Sequence, residues 1–253
     1  MSFLKDVGLL TFRYIRATLR NPVFLCMGVS TPILYLALFA PLLGTLATQG
    51  MLGTDNVLTL FIPGMLPIIA FSTGIFAGFG MIDETRSGVL ERFRVSPASR
   101  LSILLGPVLL DVCSVLFQSS LFIAIGLPFG FRASALGLLV LFLLLALLAT
   151  ITSSFGNAMA LITKSEDRYA PIVHGINLPI MLLSGSLLPM SLAPTWINVL
   201  AHLNPVYYAV EASRALAIGD FTSMNILYAF GVLACFAILS LSWSTRVFKK
   251  VVT

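Results

Sequence analysis

Residues 133–163 read ASALGLLVLFLLLALLATITSSFGNAMALIT and contain no charged side chain. A membrane-spanning helix needs about 20 consecutive apolar residues, because the hydrocarbon core of a bilayer is about 30 Å thick. This stretch exceeds that length. It therefore predicts a transmembrane helix.

Comparable runs flank this stretch on both sides. Residues 23–47, 57–82, 101–131, 169–210 and 221–245 carry one charge between them, Asp111. Only 10% of the chain is charged and 58% is hydrophobic, whereas about 25% of a soluble domain is charged. This composition excludes a soluble enzyme and predicts an all-α integral membrane protein with six transmembrane helices.

The run 169–210 is too long for a single span. Its 42 residues would form a helix of roughly 63 Å at about 1.5 Å per residue, twice the thickness of the hydrocarbon. It also contains Asn204-Pro205, a pair that breaks a helix and can begin another. We therefore expect an outer re-entrant helix pair within residues 185–220, before the sixth span; the alternative is that Asn204-Pro205 merely ends a loop. Glu211 and Arg214 have the spacing of an ion pair on one helical face.

The basic residues predict the orientation. With six spans both termini lie on one side, and 13 of the 15 lysines and arginines fall on that side. Basic residues favour the cytoplasm, so both termini are expected there. Only Arg132 and Arg214 fall on the opposite side. The net charge of +5 follows from this bias and from attraction to anionic membrane lipids, and no nucleic acid is expected as a partner.

Two segments are predicted to lie at the cytoplasmic surface. Residues 1–21 have apolar and basic residues on different helical faces, which indicates an amphipathic interfacial helix; a simple basic anchor is a compatible alternative. Residues 83–100 read DETRSGVLERFRVSPASR. They are too many and too patterned for a plain turn, and Ser96-Pro97 resembles a helix start. A short helix in this loop would form a docking surface.

Catalytic and metal-binding patterns are missing from the sequence. It contains no P-loop motif and no H-E-x-x-H, and its two histidines have no ligand-spaced companions. Cys26, Cys113 and Cys235 are widely separated and are expected to be buried free thiols. Asp111 is the one acid within a span. Such a residue is either functional or a hydrogen-bonded structural acid near the inner surface.

Two groups of motifs resemble the ABC-2 type transporter permeases, the membrane subunits of type V ABC exporters, over nearly the whole chain. Within that family the chain is most similar to the daunorubicin-resistance, multidrug-like branch. The first group is Pro63-Gly64, Gly88-Val89-Leu90-Glu91-Arg92 and Ser96-Pro97-Ala98-Ser99-Arg100; the second is Ser184-Gly185, Pro189, Leu203-Asn204-Pro205, Tyr207-Tyr208 and Arg214.

The resemblance implies that residues 1–253 form a single ABC-2 type transmembrane domain in the plasma membrane, the inner membrane of a bacterium. It implies two copies of a separate ABC ATPase subunit and a second permease chain, identical or homologous, as partners. This chain would hold no cofactor, and ATP and Mg would bind to the ATPase. The residues expected to couple the chain to the ATPase are Glu84, Arg86, Gly88, Leu90, Glu91, Arg92, Phe93, Pro97 and Arg100. The residues expected at an outer gate are Pro189, Asn204, Pro205, Tyr207, Tyr208, Glu211 and Arg214.

The function predicted on these grounds is export of amphiphilic drugs or lipid-like compounds, driven by the separate ATPase. The chain itself is expected not to be an enzyme. A glycolipid or polysaccharide exporter of the same superfamily is the nearest alternative. An ion-coupled secondary carrier and a structural or assembly membrane protein are alternatives from other classes.

Overall fold

The computed structural model describes residues 8, 11–12, 30, 33–38, 57–89, 100–187, 190 and 193–252, without the side chains of residues 100–102 and 251–252. Every regular element in these ranges is helical. The helices are α1 (Val57–Arg86), α2 (Arg100–Gly126), a short 3-10 helix (Leu127–Phe129), α3 (Ala135–Thr163), α4 (Glu166–Leu183), α5 (Thr195–Ala201), α6 (Pro205–Ile218) and α7 (Met224–Val252).

Four of these helices are long and apolar enough to cross a bilayer: α1, α3, Ile103–Phe129 and Met224–Lys250. They coincide with four of the six uncharged runs, which confirms the prediction of an all-helical membrane protein. The first run, 23–47, is described only at residues 30 and 33–38, which are helical. The helix α4 has 18 residues and begins with three charged ones, and it is not among the four. The count of six spans therefore stays a prediction, as does the amphipathic helix 1–21, which lies mostly outside the described residues.

The helix α1 forms the centre of the bundle. It packs against α2, α3, α4 and α6, and it is the most buried of the four candidate spans. Its side chains Phe61, Ile62, Met65, Leu66 and Ala70 are fully shielded by the neighbouring helices. The helix α3 in turn packs against α7.

Glycines and one tyrosine allow a close approach between α1 and α3. A Cβ on Gly78 of α1 would lie 2.7 Å from the carbonyl oxygen of Gly156 on α3 and would overlap the hydroxyl of Tyr169. Tyr169, from α4, donates to the carbonyl of Ile75 at 2.6 Å and also contacts the carbonyl of Gly156 at 3.2 Å. Small residues let membrane helices approach closely, and here they make room for a side chain that joins three helices.

The bundle has two distinct ends. At the Arg86 end, the Arg86 guanidinium of α1 pairs with the Glu166 carboxylate of α4 at 2.8 Å. At the opposite end, here called the Arg214 end, the Ser134 amide before α3 donates to the Ala217 carbonyl of α6 at 3.0 Å. Among the described residues, the Arg86 end carries the basic residues Arg86, Arg100, Lys164, Arg168, Arg246, Lys249 and Lys250, and the Arg214 end carries Arg132 and Arg214. The structure thus separates the basic residues between two ends, and which end faces the cytoplasm stays a prediction.

The cysteine prediction is wrong in one respect. Cys113 and Cys235 are free thiols, but both are exposed on the outside of the bundle. An outward-facing apolar side chain in a membrane protein contacts lipid, so the apolar character that predicted burial in protein is satisfied by the bilayer. Cys26 lies outside the described residues.

We expect Gly78→Ala to destabilise the folded chain, because the added methyl group has no space between α1, Gly156 and Tyr169. Overpacking of a close contact costs about 1–3 kcal/mol. The matched control is Gly80→Ala on the same helix, where a Cβ meets no atom of the described residues within 4 Å. Thermal unfolding of the two purified variants in detergent measures the difference; equal midpoints would contradict the close packing of α1 on α3.

Candidate functional site

The helix break at Asn204-Pro205 lies at the predicted position. The helix α5 ends at Ala201 and α6 begins at Pro205, with Asn204 as its N-cap. The Asn204 side chain accepts a hydrogen bond from the Val206 amide at 3.0 Å, and its Nδ2 donates to the carbonyl of Ile180 at 2.8 Å. Carbonyls in the last turn of a helix lack intrahelical donors. The Asn204 amide group therefore caps α6 and binds the end of α4 at once.

Aromatic rings lie beside this break. The ring centroids of His202 and Tyr207 are 4.9 Å apart, and those of Tyr207 and Tyr208 are 5.4 Å apart. The Tyr208 hydroxyl donates to the carbonyl of His202 at 3.0 Å. These contacts hold both predicted tyrosines against the short segment that joins α5 to α6. Tyrosine is enriched at membrane–water interfaces because it has an apolar ring and a polar tip.

Arg214 is the central polar residue at this end, and we call its contacts the Arg214 hub. Its Nη1 pairs with the Glu211 carboxylate at 3.0 Å, as their spacing predicted. Its Nη2 donates to the carbonyl of Gly185 at 2.6 Å and lies 3.4 Å from that of Ser186, and its Nε donates to the carbonyl of Leu60 at 3.4 Å. One guanidinium thus joins α6, α1 and the segment after α4.

Gly64 makes room for the Arg214 hub. A Cβ at Gly64 would lie 2.9 Å from the Ser186 carbonyl oxygen and 3.1 Å from Nη2 of Arg214. Gly185 has a φ of +74°, a conformation that glycine adopts without strain. The two motifs Pro63-Gly64 and Ser184-Gly185, far apart in the sequence, therefore meet around Arg214.

A serine on α6 completes the link to α1. Pro67 has no amide hydrogen, so the carbonyl of Pro63, four residues earlier, has no intrahelical donor. The Ser213 hydroxyl contacts this carbonyl at 2.6 Å and the Val210 carbonyl at 2.7 Å. Ser213 was not predicted as a site residue. The signal that could have found it is Pro67 inside a span, which demands a donor from a neighbouring helix.

The Arg86 end holds part of the predicted coupling segment. Glu84 and Arg86 lie in the last turn of α1, and Gly88, with a φ of +71°, follows the helix end. Arg86 pairs with Glu166, and both side chains are about half exposed (50% and 49%), so this ion pair contributes about 0–1 kcal/mol. Arg100 begins α2. Leu90, Glu91, Arg92, Phe93 and Pro97, together with Pro189 of the outer group, lie outside the described residues.

Asp111 lies inside the bundle, among polar side chains. Its carboxylate accepts a hydrogen bond from the Ser153 hydroxyl of α3, which in turn accepts from Asn157 Nδ2 at 3.3 Å. A second polar contact joins Thr73 of α1 to Gln118 of α2 at 2.8 Å. Asp111 is 11 residues after Arg100, or about 17 Å along the helix at about 1.5 Å per residue. It is therefore a hydrogen-bonded acid, as the structural alternative supposed, and its position near the inner surface stays a prediction.

The contacts at the Arg214 end connect α1, α6 and the segment after α4. Within the described part of the chain, no three histidine, cysteine, aspartate or glutamate side chains are grouped to hold a metal ion. Four apolar helices, one of them buried at the centre and hydrogen-bonded at both ends, define a polytopic α-helical membrane protein.

The chain belongs to the ABC-2 type transporter family, whose model matches residues 5–218. It is 27% identical to the transport permease ycf38 of Cyanophora paradoxa, over 85% of this chain and 74% of that protein. It is 24% identical to the daunorubicin resistance ABC transporter permease protein DrrB1 of Streptomyces coeruleorubidus, over 87% and 79% respectively. It is 25% identical to the doxorubicin resistance ABC transporter permease protein DrrC of Mycobacterium tuberculosis, over 86% and 78%. The resemblance stated from the motifs is thereby confirmed.

We expect Arg214→Ala to destabilise the protein by about 1.5–3 kcal/mol, the usual contribution of hydrogen bonds to charged groups. The substitution leaves Glu211 and the carbonyl of Gly185 without their donor, and Arg214→Lys should restore little because an ammonium group cannot form the same fork. The control is Arg132→Ala, an exposed arginine at the same end, which should stay within about 0.5 kcal/mol. Thermal unfolding in detergent compares the two variants. Equal destabilisation by Arg132→Ala and Arg214→Ala would show that the contacts of the Arg214 hub contribute no particular stability.

A second variant series separates hydrogen bonding from charge at Asp111. An isolated charge is costly in hydrocarbon. Among the described residues Asp111 bonds to Ser153 and forms no ion pair, so its contribution is expected to be the hydrogen bond. Asp111→Asn keeps an acceptor for Ser153 and should retain stability, whereas Asp111→Ala should lose about 1–3 kcal/mol. Ser120→Ala, an exposed serine bonded to its own helix, serves as control. Equal damage by Asn and Ala in the thermal unfolding assay would show that the charge itself is required.

Proposed function

We propose that this chain is the membrane-spanning permease of an ATP-binding cassette exporter that moves amphiphilic drugs or lipid-like compounds out across the plasma membrane. The observation that carries the proposal is the family match over residues 5–218 together with relatives named for daunorubicin and doxorubicin resistance. Permeases of this family lack a nucleotide-binding domain of their own. Two copies of a separate ATPase would supply ATP hydrolysis, and a second permease chain would complete the complex.

The geometry of α1 supports this function. The helix has 30 residues, a length of about 45 Å at about 1.5 Å per residue, enough to cross the bilayer. One end, residues 83–86, begins the charged segment 83–100, and the other is bound by Ser213 and Arg214 of α6. A displacement of the loop by an ATPase would be passed through α1 to the hub, because a packed helix with hydrogen-bonded ends moves as a rigid element.

The segment containing α5 and α6 fits an outer gate. Trp196, Val199 and Leu203 of α5 and its C-terminal turn are exposed, and three and four residues separate them, so they share one face. We infer that this face lies in the outer leaflet and that α5 and α6 form the re-entrant pair. The Arg214 hub would then join the gate to α1, so that the gate follows the central helix.

Drug accumulation in cells that express the chain with its cognate ATPase tests the proposal. Cells with both subunits should retain less daunorubicin than cells with the permease and a hydrolysis-deficient ATPase. Glu91→Ala combined with Arg92→Ala should abolish the difference while membrane expression stays normal, because these charges belong to the expected docking loop. Arg168→Ala is the matched control, an exposed basic residue outside that loop. Accumulation that depends on the proton gradient and not on the ATPase would favour the ion-coupled carrier, and unchanged export by the double variant would refute the docking role.

Orientation is tested separately, by labelling of single cysteines in a chain without Cys26, Cys113 and Cys235. A membrane-impermeant maleimide added to intact cells should label position 54, in the predicted outer loop, and not position 91. The expectation follows from the asymmetric distribution of basic residues. Labelling at position 91 but not at position 54 would contradict the proposed topology.

A further inference from the structure

A cavity of about 410 Å³ lies against the last turns of α7, at the Arg86 end of the bundle. Of the described residues, Trp243, Arg246, Val247, Lys249 and Lys250 line it. Residues 246, 247 and 250 come three, four and seven positions after residue 243, so the four share one face of the helix. The described lining is mainly apolar: an indole, a valine and three basic side chains that contribute chiefly their carbon atoms, with no acidic side chain among them.

Trp243 is fixed at the inner part of this lining. Its ring lies against Phe155 of α3, with ring centroids 5.3 Å apart and planes inclined by 32°. The ring is half-buried, whereas Arg246, Lys249 and Lys250, one and two turns further on, are exposed. The helix surface therefore changes from apolar to cationic within about 10 Å, at about 1.5 Å per residue. Tryptophan prefers the depth at which a bilayer makes the same change.

We propose that this cavity is a binding site for an anionic phospholipid, with the phosphodiester between Arg246 and Lys250. The guanidinium of an arginine matches the geometry of phosphate oxygens, and lysine adds a mobile positive charge. The apolar wall formed by Trp243, Val247 and the alkyl parts of the basic chains suits a glycerol backbone and the start of an acyl chain. Basic pockets at a membrane surface bind anionic headgroups.

The mixed lining favours a lipid over a soluble phosphate. A free phosphate ion is hydrated on all sides and gains nothing from an indole and a valine, whereas a lipid brings a charged head and an apolar body together. The proposal depends on the membrane location of α7 and not on the compound that is exported. Failure of the lipid experiment would therefore leave the exporter proposal intact.

The two tryptophans of the chain make the test specific. Trp196→Phe leaves Trp243 as the fluorophore, at the proposed site. The full chain is reconstituted in phosphatidylcholine vesicles to which one of two lipids is added. The added lipid is phosphatidylglycerol or phosphatidylcholine, in both cases brominated near the glycerol, and the quenching of Trp243 fluorescence is titrated with each. We expect the brominated phosphatidylglycerol to quench Trp243 more strongly than the brominated phosphatidylcholine at equal mole fraction.

Charge variants identify the residues responsible. Arg246→Gln and Lys250→Gln should each reduce the preference for phosphatidylglycerol, by up to about fivefold per charge removed, and the double variant should abolish it. Arg168→Gln is the matched control: it removes an exposed charge at the same end of the bundle, outside the cavity, and should leave the preference unchanged. In the reciprocal variant Trp243→Phe, the remaining fluorophore is Trp196 at the other end of the bundle. Its fluorescence should be quenched equally by the two brominated lipids.

Several outcomes would overturn the proposal. Equal quenching by the two brominated lipids would show that no anionic lipid is selected. A preference that survives the Arg246 and Lys250 double substitution, or that Arg168→Gln reduces as strongly, would assign it to general surface charge. Loss of the preference on addition of inorganic phosphate, but not of chloride at matched ionic strength, would identify a soluble phosphate site instead.

Discussion

Within a bilayer every backbone carbonyl needs a donor from the protein, and Pro67 in α1 removes one. The structure of the Arg214 end depends on how that shortage is met. The Ser213 hydroxyl reaches the carbonyl of Pro63, and one turn earlier Arg214 reaches the carbonyl of Leu60. Both donors come from α6. The proline that weakens α1 as an isolated helix thus creates the acceptor that Ser213 uses, while the guanidinium of Arg214 finds one of its acceptors in the carbonyl of Leu60.

The middle of the bundle is held by closer packing. Gly78 and Gly156 bring α1 and α3 together, and Tyr169 fills the remaining space with its hydroxyl on the backbone of α1. Asp111 and Ser153 add a polar contact between α2 and α3. The hydrophobic effect does not drive helices together in lipid, so van der Waals contact and hydrogen bonds of this kind must do so. The central helix is consequently bound along its whole length, a property that the transmission of movement across a membrane requires.

The transport proposal joins these two features to the family assignment. A permease without its own nucleotide-binding domain must receive a conformational change at the surface that contacts the ATPase. It must then transmit that change to the opposite face of the membrane. Here residues 83–86, where the charged segment begins, and the helices α5 and α6 lie at opposite ends of one helix. The lipid site proposed on α7 lies at the Arg86 end, where an anionic headgroup would hold the bundle at a defined depth without taking part in the movement of α1.

The sequence by itself determined that this protein is helical and lies in a lipid bilayer. It also determined four of the spans, the helix break at Asn204-Pro205 and the pairing of Glu211 with Arg214. These properties are local: uncharged length, proline stereochemistry and a spacing of three residues act within one segment of chain. Only the tertiary structure decided three other features. Pro63-Gly64 meets Ser184-Gly185 around Arg214, the Tyr169 side chain joins three helices, and Ser213 donates to α1. Each joins residues about 90 to 150 positions apart. Periodicity cannot reveal such contacts, because uniformly apolar helices in lipid leave no polar face from which their relative rotation could be inferred.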